Sequence, residues 1–151
     1  SWVKKNHLCA NINSHSKGRT ALNNMNDSFK MILFANDDEI KSLFQCDLKE
    51  AKSNIEEMGT ETIITLGPKG SLIYKDKKWT NVDAIIPERI MDTTGAGDLF
   101  AAGFLHGIIK GYNLESCAKM GNLAASEIIS SFGARPKKNL LTLFQESFGK
   151  F

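Results

Sequence analysis

At 151 residues, with 42% hydrophobic and 24% charged side chains, the chain has the composition of an ordinary globular protein and not of a disordered one. A formal net charge of +2 is too small to recommend nucleic acid or an anionic membrane as a partner, and no Lys/Arg block is interleaved with aromatics. Three widely spaced cysteines, Cys9, Cys46 and Cys117, offer neither a disulfide framework nor a CxxC clip. No apolar run approaches the roughly 20 residues that cross a bilayer. The opening SWVKKNHLCA has no signal-peptide core, so a cytoplasmic location is expected.

Residues 1–30 are polar and Asn-rich without a period of 2 or 3.6, and read as a weakly structured lead-in, with a short helix around Thr20–Phe29 as its one candidate element. Met31–Ala35 is a short continuous apolar run, the pattern of a buried strand. Asn36 and Asp37 offer caps for a helix through Phe44. Asp47 opens another, with Leu48, Ala51, Ile55 and Met58 at helical spacing and Gly59 as its stop. Thr62–Leu66 and Ser71–Lys75, joined by the turn chemistry of Gly67-Pro-Lys-Gly70, predict a hairpin. Trp79–Ile86 continues as strand until Pro87.

Asp98–Lys110 is apolar nearly all round, which predicts a buried helix closed by Gly111. Its Ala101, Ala102 and Gly103 form a small face suited to close packing. Leu114–Phe132 is amphipathic, with a stripe running from Leu114 through Cys117, Gly121, Ala124 and Ile128 to Phe132. Asn139–Phe148 makes a last short helix. Strands alternating with helices indicate an α/β architecture with a mostly parallel sheet.

The chemistry concentrates in Thr94-Gly-Ala-Gly-Asp98. Two glycines two apart let the backbone turn tightly and approach a ligand with no Cβ in the way. The helix behind them brings unsatisfied N–H groups and the positive end of its dipole to the same point, a combination that binds phosphate. The plainer reading of Asp98 is a helix cap. There is no GxxxxGK[ST], which excludes a P-loop, and Gly95-Ala-Gly97-Asp-Leu-Phe100 lacks the third glycine of a dinucleotide fingerprint. Asn36-Asp-Asp-Glu39 alone is a capped, solvated helix start, and Gly67–Gly70 alone is a hairpin turn. His106, two helical turns after Asp98, reads as a satisfied or surface histidine, and Cys117 as core.

Asp92–Leu105, DTTGAGDLFAAGFL, resembles the C-terminal signature of the PfkB carbohydrate-kinase family, which includes ribokinase and adenosine kinase. Asn36–Glu39 is similar to the family's NxxE element, Thr65–Gly70 (TLGPKG) to its nucleotide-contacting strand and turn, and Asn122 stands where the family has an Asn beside the adenine. The resemblance covers roughly Met31 to Pro136. It implies the C-terminal portion of a ribokinase-like three-layer α/β fold, with residues 31–151 as the nucleotide-binding part. The family's N-terminal half, with its first signature, its lid and most sugar-binding residues, finds no match here.

The resemblance further implies an ATP-dependent phosphotransferase acting on a sugar or nucleoside hydroxyl, of adenosine or ribose type. Asp98 would be the catalytic base, and the amides of Gly95, Ala96 and Gly97 an anion hole. Thr65, Gly67, Gly70, Asn122 and Asn36 would hold the nucleotide, and Glu39, through water, Mg²⁺. Asp92 and Thr94 match the position where many members bind K⁺. The expected partner is a small-molecule substrate, with a homodimer or a complementing N-terminal half left open. The alternative is a non-catalytic nucleotide-binding remnant or a split-kinase fragment.

Overall fold

The computed structural model describes residues 7–11, 30–133 and 135–149. Its sheet has five strands in the order β1 (His7–Asn11), β2 (Lys30–Asn36), β3 (Glu61–Thr65), β4 (Ser71–Lys75) and β5 (Lys78–Val82). β1, β2 and β3 run parallel and β4 returns antiparallel to β3. The continuous apolar run of β2 is explained by burial on both faces: Ile32 and Phe34 face one way, Leu33 and Ala35 the other, and all four are buried.

One strand is an addition to the sequence reading. His7–Asn11 lies in the stretch read as weakly structured, yet it pairs with Lys30–Phe34 in register. The remainder of residues 1–29, with the candidate helix around Thr20–Phe29, lies outside the described residues.

Two compact units divide the chain. The first contains described residues up to Gly67 together with Ser71–Asn81; the second contains Pro68–Gly70 and the chain from Val82 onward. In the first, helices α1 (Asp37–Phe44) and α2 (Leu48–Met58) lay Ile40, Leu43, Ala51 and Ile55 over Leu33, Ala35, Ile64 and Tyr74 of the sheet. Both helices start and stop as their sequences direct. The side chain of Asp47 accepts from the Glu50 amide, and Gly59 ends α2 in the left-handed conformation at φ 63°. Trp79 closes this core from β5: it lies 5.0 Å from the Tyr74 ring and donates to Glu56 Oε1 at 2.6 Å.

The second unit is built on α3 (Ala96–Ile109), α4 (Leu114–Ile129) and α5 (Leu140–Phe148). α3 buries Phe100, Gly103, Phe104, Gly107 and Ile108, whereas Ala102 and Ile109 are exposed. The expectation of all-round burial therefore narrows to one stripe, and the small face uses glycines in place of Ala101 and Ala102. A Cβ on Gly103 would stand 2.7 Å from the Met120 carbonyl oxygen, and one on Gly121 would stand 2.8 Å from that of Phe100. The two helices thus meet backbone to backbone. Cys117 sits fully buried in this seam, as its place on the apolar stripe predicts.

Two boundaries move. β5 stops at Val82 and not at Ile86, because the Asp83 carbonyl is bonded to a side chain of α4, and Ile85 and Ile86 are exposed. α4 stops at Ile129, where the Ser130 and Ser131 amides close back on the Glu127 and Ile128 carbonyls. That tighter winding turns Phe132 off the stripe, leaving it 73% exposed. Asn139 caps α5 through the Leu141 and Thr142 amides.

Candidate active site

Each turn that carries chemistry is shaped by its own residues. Gly95 takes the left-handed conformation at φ 80° and leads directly into Ala96, the first residue of α3. The first turn of a helix has amides without intrahelical acceptors. The Ala96 amide donates to the Thr93 carbonyl at 3.2 Å, so of the three amides expected to face an anion this one is already engaged. The Gly95, Gly97 and Asp98 amides have no backbone acceptor among the described residues. Asp98 is exposed in the first turn of α3, and its carboxylate makes no hydrogen bond to a described residue. Its expected alternative use, a cap on its own helix, is not what the side chain does.

Asp92 anchors the turn from below. Its Oδ1 accepts from the Thr94 amide at 2.9 Å, and its Oδ2 accepts from the Gly133 amide at 3.2 Å, 41 residues on. Hydrogen bonds from Thr94, through side chain and backbone, and then from the Gly133 backbone hold its carboxyl below the usual carboxylate range. Next to it the Met91 amide donates to the Ile129 carbonyl at 2.8 Å, tying the segment before the turn to the end of α4. Gly133 is a residue that sequence reasoning gave no role. Only its position after α4 hints at a turn, and nothing local reveals the distant carboxylate.

Asn122 is buried at 6% exposure, and its Nδ2 donates to the Asp83 carbonyl at 2.8 Å. Gly70 serves the same segment from the opposite side of the sequence. Its φ is 88°, and a Cβ there would collide with the Val82 carbonyl oxygen and stand 2.7 Å from the Ala84 nitrogen and 2.8 Å from the Asp83 carbonyl carbon. Gly67 needs its glycine for φ 58° alone, since nothing crowds it.

In the first unit, Asn36 and Thr65 are register partners at the ends of β2 and β3, and Ser71 is the register partner of Thr65 on β4. Residues paired across a sheet share a face, so these polar side chains stand in one row where parallel strands end. Asn36 and Glu39 also form a reciprocal capping box: each side chain accepts the other's amide at 2.8 Å. That leaves Glu39 Oε1 without a described partner, whereas Asp37 and Asp38 are drawn to Lys41. Among the described residues no three His, Cys, Asp or Glu side chains gather as a metal cage. A single unengaged carboxylate oxygen fits a cation held through water and not one stripped of it. His106 stands apart from all of this, stacked on Phe144 at 5.4 Å.

The profile of the pfkB family of carbohydrate kinases matches residues 1–140. The chain belongs to the pfkB family. Among its relatives is an uncharacterized sugar kinase of Archaeoglobus fulgidus, 40% identical over 105 residues, which are 69% of this chain and 42% of that protein. The adenosine kinase of Sinorhizobium meliloti superposes at a TM-score of 0.84 with 33% identity, over 92% of this chain and 44% of its own. The ribokinase of Arabidopsis thaliana, solved with ribose and ATP, superposes at 0.76 with 25% identity, over 91% and 47%. The fold is ribokinase-like, and this pfkB chain spans less than half the length of these relatives.

Proposed function

We propose that this pfkB chain is the nucleotide-binding, C-terminal part, residues 31–151, of an ATP-dependent kinase for a sugar or nucleoside hydroxyl of ribose or adenosine type. The observation that carries this reading is the turn at Gly95–Asp98, where open amides at a helix start stand beside an exposed carboxylate that no described residue engages. Family membership supports it, as do the adenosine kinase and ribokinase likenesses. A cytoplasmic location suits such a kinase, and no described helix is long and apolar enough to cross a membrane.

In this reading Asp98 takes the proton of the acceptor hydroxyl as its oxygen bonds to the γ-phosphorus of ATP. The bond from that phosphorus to the β–γ bridging oxygen breaks, and ADP leaves. The Gly95 and Gly97 amides, with that of Asp98, stabilise charge on the transferring group; Ala96 contributes only on leaving Thr93. Mg²⁺, when bound, neutralises charge on the β- and γ-phosphates. Glu39 would hold it through water by Oε1, with Asn36 beside it, and Thr65, Gly67 and Gly70 would line the nucleotide. Asp92 and the Thr94 main chain suit K⁺, because a carboxylate oxygen that accepts one N–H retains a second lone pair.

In this reading the hydroxyl is delivered by chain equivalent to the other half of the relatives, supplied by a complementing N-terminal half or a homodimer. β1 stands at one end of the sheet order, where further strands would join. A second reading is a nucleotide-binding remnant without turnover. Saturating Mg·ATP, at about 100 times its dissociation constant, is expected to raise the melting temperature by roughly 5–10 °C. No shift at millimolar Mg·ATP removes the nucleotide site. A shift without turnover after a complementing half is added leaves the remnant.

A further inference from the structure

The segment that follows α4 is closed by a single residue. Glu127, in the last turn of α4, is buried at 9% exposure. Its carbonyl accepts from the Ser130 amide at 3.3 Å and from the Ser130 hydroxyl at 2.7 Å, where the helix stops. Its carboxylate accepts from the Lys138 amide at 3.0 Å through Oε1. Both ends of residues 130–138 are therefore tied to one residue. Between those ends the Gly133 amide donates to Asp92 Oδ2, and Asp92 Oδ1 accepts from the Thr94 amide. All of these residues belong to the second unit. The Lys138 ammonium stands 3.9 Å from Oε2 and is 71% exposed, so the ion pair is solvated and adds little. The amide bond differs, because a buried carboxylate deprived of its donor is costly, and the closure is not lightly given up.

We infer that Glu127 is a positioning residue for the turn at Gly95–Asp98. By closing the loop of residues 130–138 it holds Gly133 against Asp92, and through Asp92 it holds Thr94, the residue from which the turn springs. The inference rests on the reading of that turn as an anion site and deepens it. Glu127 touches no substrate in this scheme. A loop tied only at its helix end carries Gly133 off Asp92 part of the time, and Asp92 then grips the turn without a support of its own.

The first measurement needs no ligand: amide hydrogen exchange of the full 151-residue chain as wild type, Glu127→Leu and Glu127→Gln. Leucine removes the acceptor, whereas glutamine keeps an oxygen that accepts the Lys138 N–H. In Glu127→Leu the Lys138, Gly133 and Thr94 amides are expected to exchange about three- to thirtyfold faster, while the Phe104 amide within α3 keeps its protection. Glutamine is expected to restore all three. Faster exchange at Lys138 alone overturns the inference, because the closure then stops short of Asp92. Faster exchange at Phe104 as well makes Glu127 merely structural and overturns it too. A glutamine variant as loose as the leucine one overturns the role of the Lys138 bond. Should Glu127→Leu not fold, Lys138→Pro deletes the same donor outside α4 and is read at Gly133 and Thr94 with the same expectations.

Calorimetric titration with magnesium tripolyphosphate then tests the link to the anion site. Its affinity is expected to fall about three- to thirtyfold in Glu127→Leu, and to be unchanged by that substitution in an Asp92→Ala background, since the path runs through Asp92. Equal losses in both backgrounds overturn the inference. Failure of wild type to bind the probe overturns the anion-site reading itself, while hydrogen exchange still decides whether Glu127 holds the turn.

Discussion

Asp98 stands exposed in the first turn of α3 with no partner for its carboxylate among the described residues, whereas Asp92, six residues earlier, has a bond on each oxygen. The two acids of one signature therefore do opposite work, one tying the turn and one left open. Asp98→Asn, with a complementing half supplied, is expected to cut turnover by roughly 10²–10⁴ while leaving ATP affinity nearly intact. Equal rates for wild type and variant would remove Asp98 as the base. Asp98 was legible in the sequence because a motif and a helix start coincide there. The bonds that decide the state of its neighbours were not: the Thr93 carbonyl on Ala96 and the Asp83 carbonyl on Asn122 are main-chain groups, and any residue type supplies them.

Among the elements, those that begin and end with their own capping chemistry were read closely. α1 with Asn36, α2 with Asp47 and Gly59, and α5 with Asn139 show how local hydrogen bonding fixes boundaries without tertiary help. β5 and the end of α4 were not, because each is terminated by distant or tightened backbone bonds that override an apolar pattern. The β4–β5 connection was obscure for another reason. Asp76 and Lys77 both adopt positive φ, 48° and 61°, without the glycine that usually marks such a turn.

Two predictions belong at this scale. Gly103→Ala pushes a methyl onto the Met120 carbonyl, which a helix backbone cannot yield, and is expected to cost about 1–3 kcal/mol by denaturant unfolding. An unchanged midpoint would show that the helices can separate freely. The second concerns His106, where burial, then the nearby Lys110 charge, lowers the imidazole pKa from 6.5. The unfolded chain thus takes the proton first. The stabilising effect of the neutral ring is complete above about pH 6.5 and is lost as pH falls toward the folded value. Melting curves between pH 7.5 and 5 are expected to show this decline, and His106→Gln to flatten it. An identical slope in both proteins would assign the decline to other groups.

For the molecule as a whole, the ribokinase-like fold and the family were legible from a few short runs, above all the signature at Asp92–Leu105. The lead-in was not, since β1 is specified by pairing with a strand some twenty residues away and not by a pattern of its own. With less than half of its relatives' length present, the chain is expected to turn over substrate only when the remainder is supplied in trans. Phosphoryl transfer by the isolated chain at the rate of the complemented one would contradict that.

The glycine seam between α3 and α4 has a mechanical consequence. Helices in backbone contact cannot slide or roll without collision, so the pair moves as one rigid caliper. Asp98 is mounted on one jaw and Asn122 on the other. The span between Asp98 and Asn122 is therefore held by helix geometry and not by loop motion. Thermal fluctuation displaces both ends together, leaving the distance between them unchanged.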